Sequence, residues 1–360
     1  MVTRGFQPGK QQGQARRRVV LGAMLLSSAG LVGCGQPAGE IFEPLAIPLL
    51  WPPAPEPSRI AYVGQLTSDK DLKPAVSFGQ ALERSLFGGP PTRTMLSPFA
   101  LCTDSGGQRL FVCDSNAQVM HVFDLETRGY ATWQPGAEAR FAQPVAVSIG
   151  PQGWVLVCDS VAGVIHTFEA EGAYLGTFGE ATFGRPTGLA WDELYQRLFV
   201  VDTAAHQVVV LSPEGVEIGR LGERGVGPGQ FNFPTSIAVD EQGRLHVSDS
   251  LNFRVQLFTA DLKPLRQIGR KGDLPGYFSQ PKGLALDSEG HIYVVDAHFE
   301  AVQIFNDRGQ FLLPFGEEGA GPGQFWLPAG IHIDSNDRIW IADTYNRRVQ
   351  VFDYLPERKP

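Results

Sequence analysis

Seven histidines, four cysteines and a spaced series of aspartates carry the reactive side chains of this 360-residue chain. Their spacing narrows the chemistry. No Cys-x-x-Cys-His occurs, so no haem is attached covalently in the c-type manner. No Cys-x-x-Cys and no His-Glu-x-x-His occurs, so the usual zinc spacings are absent. Cys113 and Cys158 stand in the same Val-Cys-Asp-Ser phrase, where a small buried residue is expected. Cys102 lies on a strand expected to pair with that of Cys113, so one disulfide among these three thiols is left open. His121 and His166 take a slot held elsewhere by Gln256, Gln303 and Gln350, and structural hydrogen bonding is expected of them. His332 falls on an innermost strand and could face a channel, but one histidine is not a site.

The aspartates belong to a phrase that recurs six times. An aromatic, a proline and a short apolar strand are followed by a second strand ending in Asp, then by a third strand. The prolines are Pro98, Pro144, Pro186, Pro234, Pro281 and Pro328; the closing aspartates are Asp114, Asp159, Asp202, Asp249, Asp296 and Asp343. A period of roughly 40–50 residues with about four short strands per unit is the mark of a propeller blade. Near-identical copies point to structure, and each Asp is expected to accept hydrogen bonds from the turn that follows it. The linkers Gly225–Gln230 and Gly319–Gln324 are glycine-rich but lack the Lys-Ser/Thr of a nucleotide-binding loop. Phe231, Phe278 and Phe325 are expected to anchor these linkers in the core.

The last copies are the clearest: Phe325–Asp334 with Arg338–Phe352, the phrase ending in Arg244–Phe258, and Pro281–Asp287 with Ile292–Asp296. They resemble NHL repeats, and the resemblance runs from about Pro57 onward. It implies an all-β, six-bladed propeller. Arg59–Leu66 is an isolated strand, and the last repeat stops after three strands, so the N-terminal strand is expected to close the ring. One branch similar to this family, the peptide-amidating lyases, binds zinc through histidines that follow the repeat's proline. Those positions here are Phe99, Val145, Thr187, Thr235, Lys282 and Ala329, and none can act as a histidine ligand.

The N-terminus reads as a targeting segment. Arg16-Arg17-Arg18 precede an apolar run, Val19 to Val32, that leads through Gly33 to Cys34. About 14 residues are too few to span a bilayer, which needs about 20. Small residues before a cysteine resemble a bacterial lipobox, which implies cleavage after residue 33 and a lipid on Cys34. Gly35 in place of Asp favours the outer membrane. Arg17–Leu21 also resembles a twin-arginine export signal, with an ordinary basic leader as the alternative. Residues 34–57 hold seven prolines and are expected to form a tether, although Leu45 to Trp51 is apolar enough to lie against membrane or propeller. The propeller is assigned to 58–360. Thirty cations less the five before Cys34 leave 25 against 38 acids, a net of −13. Nucleic acid is excluded as a partner on that balance.

Between the closing strand and Pro98 sits an insertion. Over 74–87, Phe78, Ala81, Leu82, Leu86 and Phe87 recur at helical spacing, and Pro74 and Gly88-Gly89-Pro90 bound the segment. An amphipathic helix lying on the linker face is expected, either shielding that face or docking a partner. The turns joining second and third strands differ most between blades. His206, Phe253, Arg254, His298, Phe299, Tyr345 and Arg347 on them form the candidate binding surface, because aromatics and arginines dominate interfaces. The expected function is a lipid-anchored, non-catalytic docking scaffold of the cell envelope, without metal or cofactor. Similarity to NHL-repeat lipoproteins that accompany exported multihaem cytochromes c implies such a cytochrome as a partner. A lyase-, lactonase- or esterase-type enzyme with a central metal, and a glycan- or peptide-binding module, stay open as alternatives.

Overall fold

The computed structural model describes residues 36–136, 139–179 and 183–356. Cys34 and the apolar run before it lie outside them. Six four-stranded antiparallel units stand around one axis, and each of the first five begins its inner strand at the repeat proline: Pro98, Pro144, Pro186, Pro234 and Pro281. The sixth unit is composite. Ile331–Ile333, Arg338–Asp343 and Arg348–Tyr354 come from the end of the domain, and Ile60–Leu66 pairs antiparallel with Arg348–Tyr354 as the outer strand. The expected closure is therefore present. A two-residue strand, Leu50–Trp51, adds a fifth member outside it. The expected outer strands occur as Tyr174–Thr177, Pro264–Ile268 and Phe311–Phe315.

Second and third strands are buried along nearly their whole length, because each blade is covered on both faces by its neighbours. This explains their continuous Val/Ile/Leu/Phe runs. The apolar core is accordingly divided into six clusters, each shared by two consecutive blades. Phe231, Phe278 and Phe325 are fully buried, as expected of the linker anchors.

The repeated Asp does more than cap its turn. Asp114 accepts from the Ala117 amide and also from the amides of Leu96 and Ser97, the two residues before the proline. Asp159 and Asp202 repeat the pattern on Ala142 and Gln143, and on Gly184 and Arg185. Each Asp thus ties the turn after the second strand to the linker that enters the blade. The hydroxyl that follows it reaches the next blade: Thr203 Oγ1 donates to the Pro234 carbonyl (2.6 Å), Ser250 Oγ to Pro281 (2.5 Å), and Thr344 Oγ1 to Pro98 (2.8 Å). The last of these crosses the closing seam. Inner strands also touch directly. A Cβ on Gly330 would stand 2.5 Å from the Phe99 carbonyl oxygen, so only glycine fits there.

His121 and His166 behave as expected. His121 Nε2 lies 3.2 Å from Asp114 and its Nδ1 2.6 Å from the Tyr130 hydroxyl, matching the Gln256–Asp249 and Gln350–Asp343 hydrogen bonds of other blades. His166 Nδ1 meets the Tyr174 hydroxyl at 3.0 Å. Cys102, Cys113 and Cys158 are buried free thiols, and burial pushes all three up. Cys102 is opposite Phe111 and Cys113 opposite Ala100, so the register offsets the two sulfurs.

Two peripheral segments complete the molecule. The proline-rich stretch is fastened to the propeller from Gln36 onward. Gln36 bridges Val76, Phe42 packs edge-on to Trp340, and Trp51 packs against Phe315 and Phe352. The insertion contains one α-helix, α1, at Phe78–Phe87. It begins four residues later than the spacing predicts. The stronger correction concerns its packing: α1 buries no side chain, so it does not shield the linker face.

Candidate functional site

The inner strands enclose an axial channel of about 790 Å³. Its two mouths differ because the chain enters and leaves each inner strand differently. Directly after the repeat proline the ladder slips by a residue in blades one to five. Such a bulge re-aims the side chain it carries. At this level stand Phe99, Val145, Thr187, Thr235 and Lys282, all on the channel wall. Thr187 Oγ1 pairs with Thr203 Oγ1 (2.6 Å), and Thr235 Oγ1 with Ser250 Oγ (2.7 Å), so two hydroxyl pairs line this end. Lys282 makes no ion pair among the described residues, and burial alone lowers its ammonium below the usual lysine range. Arg185 stands exposed at the same mouth.

The linkers and the turns after the second strands share this face. Backbone hydrogen bonds join them blade by blade: Ser115 to Ser97, Thr203 to Arg185, Leu251 to Asn232, Tyr345 to Trp326. Around the mouth, Leu96, Val161, Phe233, Leu251, Trp326 and Tyr345 are exposed. Trp326 is 50% and Tyr345 56% exposed although their rings meet at 5.5 Å, tilted by 51°.

The opposite mouth is acidic and internally satisfied. Asp104 and Asp334 line it together with Trp191 and His332. Asp104 takes Arg109 at 3.1 Å, and Asp334 accepts from the Trp340 indole at 3.0 Å. The equivalent turns of blades three, four and five pair Asp192 with Arg197, Asp240 with Arg244, and Asp287 with His291. His332 lies 3.0 Å from Thr103 Oγ1, and burial in the channel wall pushes its imidazole down to about 4. Among the described residues no group of three or more His, Cys, Asp or Glu is gathered for a metal.

The residues expected on the binding surface divide. His298, Tyr345 and Arg347 are exposed on the proline-side face, and Phe253 and Phe299 are half-buried there. Two are corrected. Arg254 is buried: it pairs with Asp249 at 2.8 Å and donates to the carbonyls of Val226, Gly227 and Gln230. With the Gln267 side chain at 3.0 Å, five acceptors draw the guanidinium inward, where it fastens a linker. His206 is also buried; its Nδ1 accepts the Phe233 amide at 3.1 Å and its ring meets Phe233 at 4.5 Å. The residues missed were Trp326, Leu96, Leu251 and Phe233, with Lys282 beneath them. For Leu96 and Trp326 a signal was available. Two residues before the proline the six repeats read Leu96, Ala142, Gly184, Asn232, Ser279 and Trp326, the most variable place in an otherwise fixed phrase.

The blade architecture, the composite sixth blade and the Asp-anchored linkers decide the fold. The chain is a six-bladed β-propeller of the NHL type. A family model described as 6-bladed beta-propeller (DUF5128) matches residues 286–355 of this propeller. It is 36% identical over 79 residues to NHL repeat-containing protein 3 of Mus musculus, covering 21% of this chain and 22% of that protein. The Homo sapiens protein of the same name is 38% identical over 53 residues, 15% of each. The propeller thus spans about a fifth or less of the curated relatives it matches. Among solved structures it is similar to a streptogramin B lyase (TM-score 0.56, 12% identity, 72% of this chain and 94% of that one). An auxiliary nutrient binding protein of Bacteroides thetaiotaomicron gives TM-score 0.58 at 12% identity, with 72% and 69% covered. Kuenenia stuttgartiensis hydrazine synthase gives 0.53 at 12% identity, with 74% and 98% covered. These likenesses show a shared fold, which hosts unrelated functions.

Proposed function

We propose that this propeller is a non-catalytic docking platform, held at the bacterial envelope by a lipid on Cys34, whose protein partner sits on the proline-side face. The observation that carries this reading is the girdle of exposed large apolar residues around a mouth where Lys282 and Arg185 make no ion pair among the described residues. A grouped apolar patch marks an interface more often than scattered exposed residues do. Trp and Tyr are the side chains that most often dominate binding energy. Lys282 and Arg185 supply the chemistry for a carboxylate presented by the partner, since the acids on this side are already committed to backbone amides and arginines. A charge-assisted hydrogen bond in this partly dry mouth would fix the partner's register.

Among the described residues, the histidine lining the channel is hydrogen-bonded to a hydroxyl and not to a carboxylate, which favours a binding role. His332 has a hydroxyl as its hydrogen-bond partner, and its depressed basicity makes it a weak proton acceptor at neutral pH. The partner is a protein of the cell envelope. Similarity to lipoproteins that accompany exported multihaem cytochromes c makes such a cytochrome the first to look for.

The test places a photo-crosslinking residue at Leu251 on the proline-side face, or at Gln242 on the opposite face, in cells making the full chain. One envelope protein, identified by mass spectrometry, is expected from Leu251 and not from Gln242. Adding Trp326→Ser with Tyr345→Ser lowers that yield about tenfold or more while the melting temperature stays unchanged. Equal capture from both positions, or capture of the propeller alone, overturns the docking reading.

A further inference from the structure

Helix α1 is well made and covers nothing. Ser77 Oγ accepts the Gln80 amide at 3.3 Å while Gln80 Oε1 accepts the Ser77 amide at 3.0 Å, a complete capping box. At the other end the Gly88 amide returns to the Arg84 carbonyl at 3.0 Å. Phe78, Leu82 and Leu86 repeat every fourth residue along one stripe, and each is at least half exposed; Phe87, the last residue of the helix, is exposed on another side. Gln80, Glu83 and Arg84 supply polar side chains elsewhere on the helix. An isolated helix shorter than about 12–15 residues is marginal in water, and this one has ten residues. Its apolar stripe therefore needs a cover to repay the ordering of the turns.

The segment leading back to Cys34 shows what that cover is. The Gln36 amide donates to the Val76 carbonyl at 2.8 Å, and the Val76 amide donates back to Gln36 at 2.9 Å. A second tie, Gly39 to Lys73 at 3.1 Å, holds the same two strands together. Cys34 precedes Gln36 by two residues, a covalent reach of about 7 Å. Val76 precedes the first residue of α1 by the same number. A lipid on Cys34 would thus start within about 20 Å of Phe78.

We infer that α1 lies in the membrane interface beside this lipid, with Phe78, Leu82 and Leu86 among the acyl chains, as a second attachment point of the propeller. The inference rests on the anchored reading above. Two attachment points fix the tilt of the disc, which a single one leaves free.

The test uses the full chain on vesicles of phosphatidylethanolamine and phosphatidylglycerol. Wild type, Cys34→Ser and Leu82→Glu/Leu86→Glu are compared by vesicle flotation, intact mass and amide hydrogen exchange. Amides of 78–87 in wild type are expected to exchange about tenfold or more slowly on vesicles than in buffer, and the glutamate pair abolishes that slowing while the lipid still floats the protein. Flotation through the lipid with no slowing over 78–87 overturns the helix contact and leaves the anchor standing. Slowing without vesicles, or slowing that survives the glutamate pair, means protein covers the helix and also overturns it. Lack of a lipid mass on Cys34 removes the anchor, and the inference with it.

Discussion

The two mouths of the channel are cut from the same inner strands, yet they spend their charges differently. On the proline side, charged clamps are sunk in the frame. Arg348 pairs with buried Asp343 and donates to the carbonyls of Ala320, Gly321 and Gln324. That leaves the rim free for Trp326, Tyr345 and Leu251, and the mouth free for Lys282 and Arg185. On the opposite side each turn aspartate meets its partner nearer the surface, as Asp240 does with Arg244. One end has its charge satisfied at the rim; the other keeps charge inside the frame and leaves cations unspent in the opening. A surface prepared for a partner is one whose groups are not already used by the fold.

That contrast can be broken at both ends. Arg348→Met strands a buried carboxylate and three carbonyls, and is expected to cost about 3–5 kcal/mol, seen as a fall in the urea midpoint. His332 gives an intermediate effect through pH. Its imidazole is held below the ordinary 6.5, at about 4, so the unfolded chain binds the extra proton between those values. The contribution is fully present above about 6.5 and is lost as pH falls towards 4. His332→Gln should therefore lose roughly 1–2 kcal/mol less than wild type between pH 7 and pH 4.5, a figure discounted for solvent in the channel. Asp159 and Asp240, held down to about 2, titrate below this window, and His291, shifted up by Asp287, works in the opposite sense in both chains. Arg244→Met, the counterpart of the first change at the acidic mouth, is expected to cost under about 1 kcal/mol. Equal costs for Arg348→Met and Arg244→Met would erase the distinction between the two ends.

The repeated phrase made the fold legible, because each Asp and each proline holds one fixed duty in every blade. The missing fourth strand of the last repeat was equally readable, since a strand without a partner and a blade without an edge must meet. The site was less so. Periodicity showed that an apolar stripe exists over Phe78–Phe87 but carries no information on what covers it. Arg347 and Arg348 are neighbours in sequence; Arg347 ends the turn in a left-handed conformation and stays in solvent, while Arg348 opens the strand and enters the frame. Arg254 shares the slot of Arg348, and residue types alone leave it open between packing and surface. Lys282 was seen only as a position that cannot ligate zinc. Its place on the channel wall depends on a one-residue slip in the ladder, which no pattern of residue types announces.

The composite sixth blade has a consequence for how the molecule is made. Gln65 on the closing strand meets Arg348 from 283 positions further along the chain. A polypeptide emerging from its N-terminus presents this strand first and its partner last. For nearly the whole of synthesis the edge of Ile60–Leu66 has nothing to pair with, and the seam between last and first blades stays open. Long-range pairing of this kind is slow and exposes strand edges to other chains. Blades one to five can assemble in order as they appear, but the ring becomes a ring only when Arg348–Tyr354 is delivered. Whatever guards the growing chain must therefore guard its beginning until its end arrives.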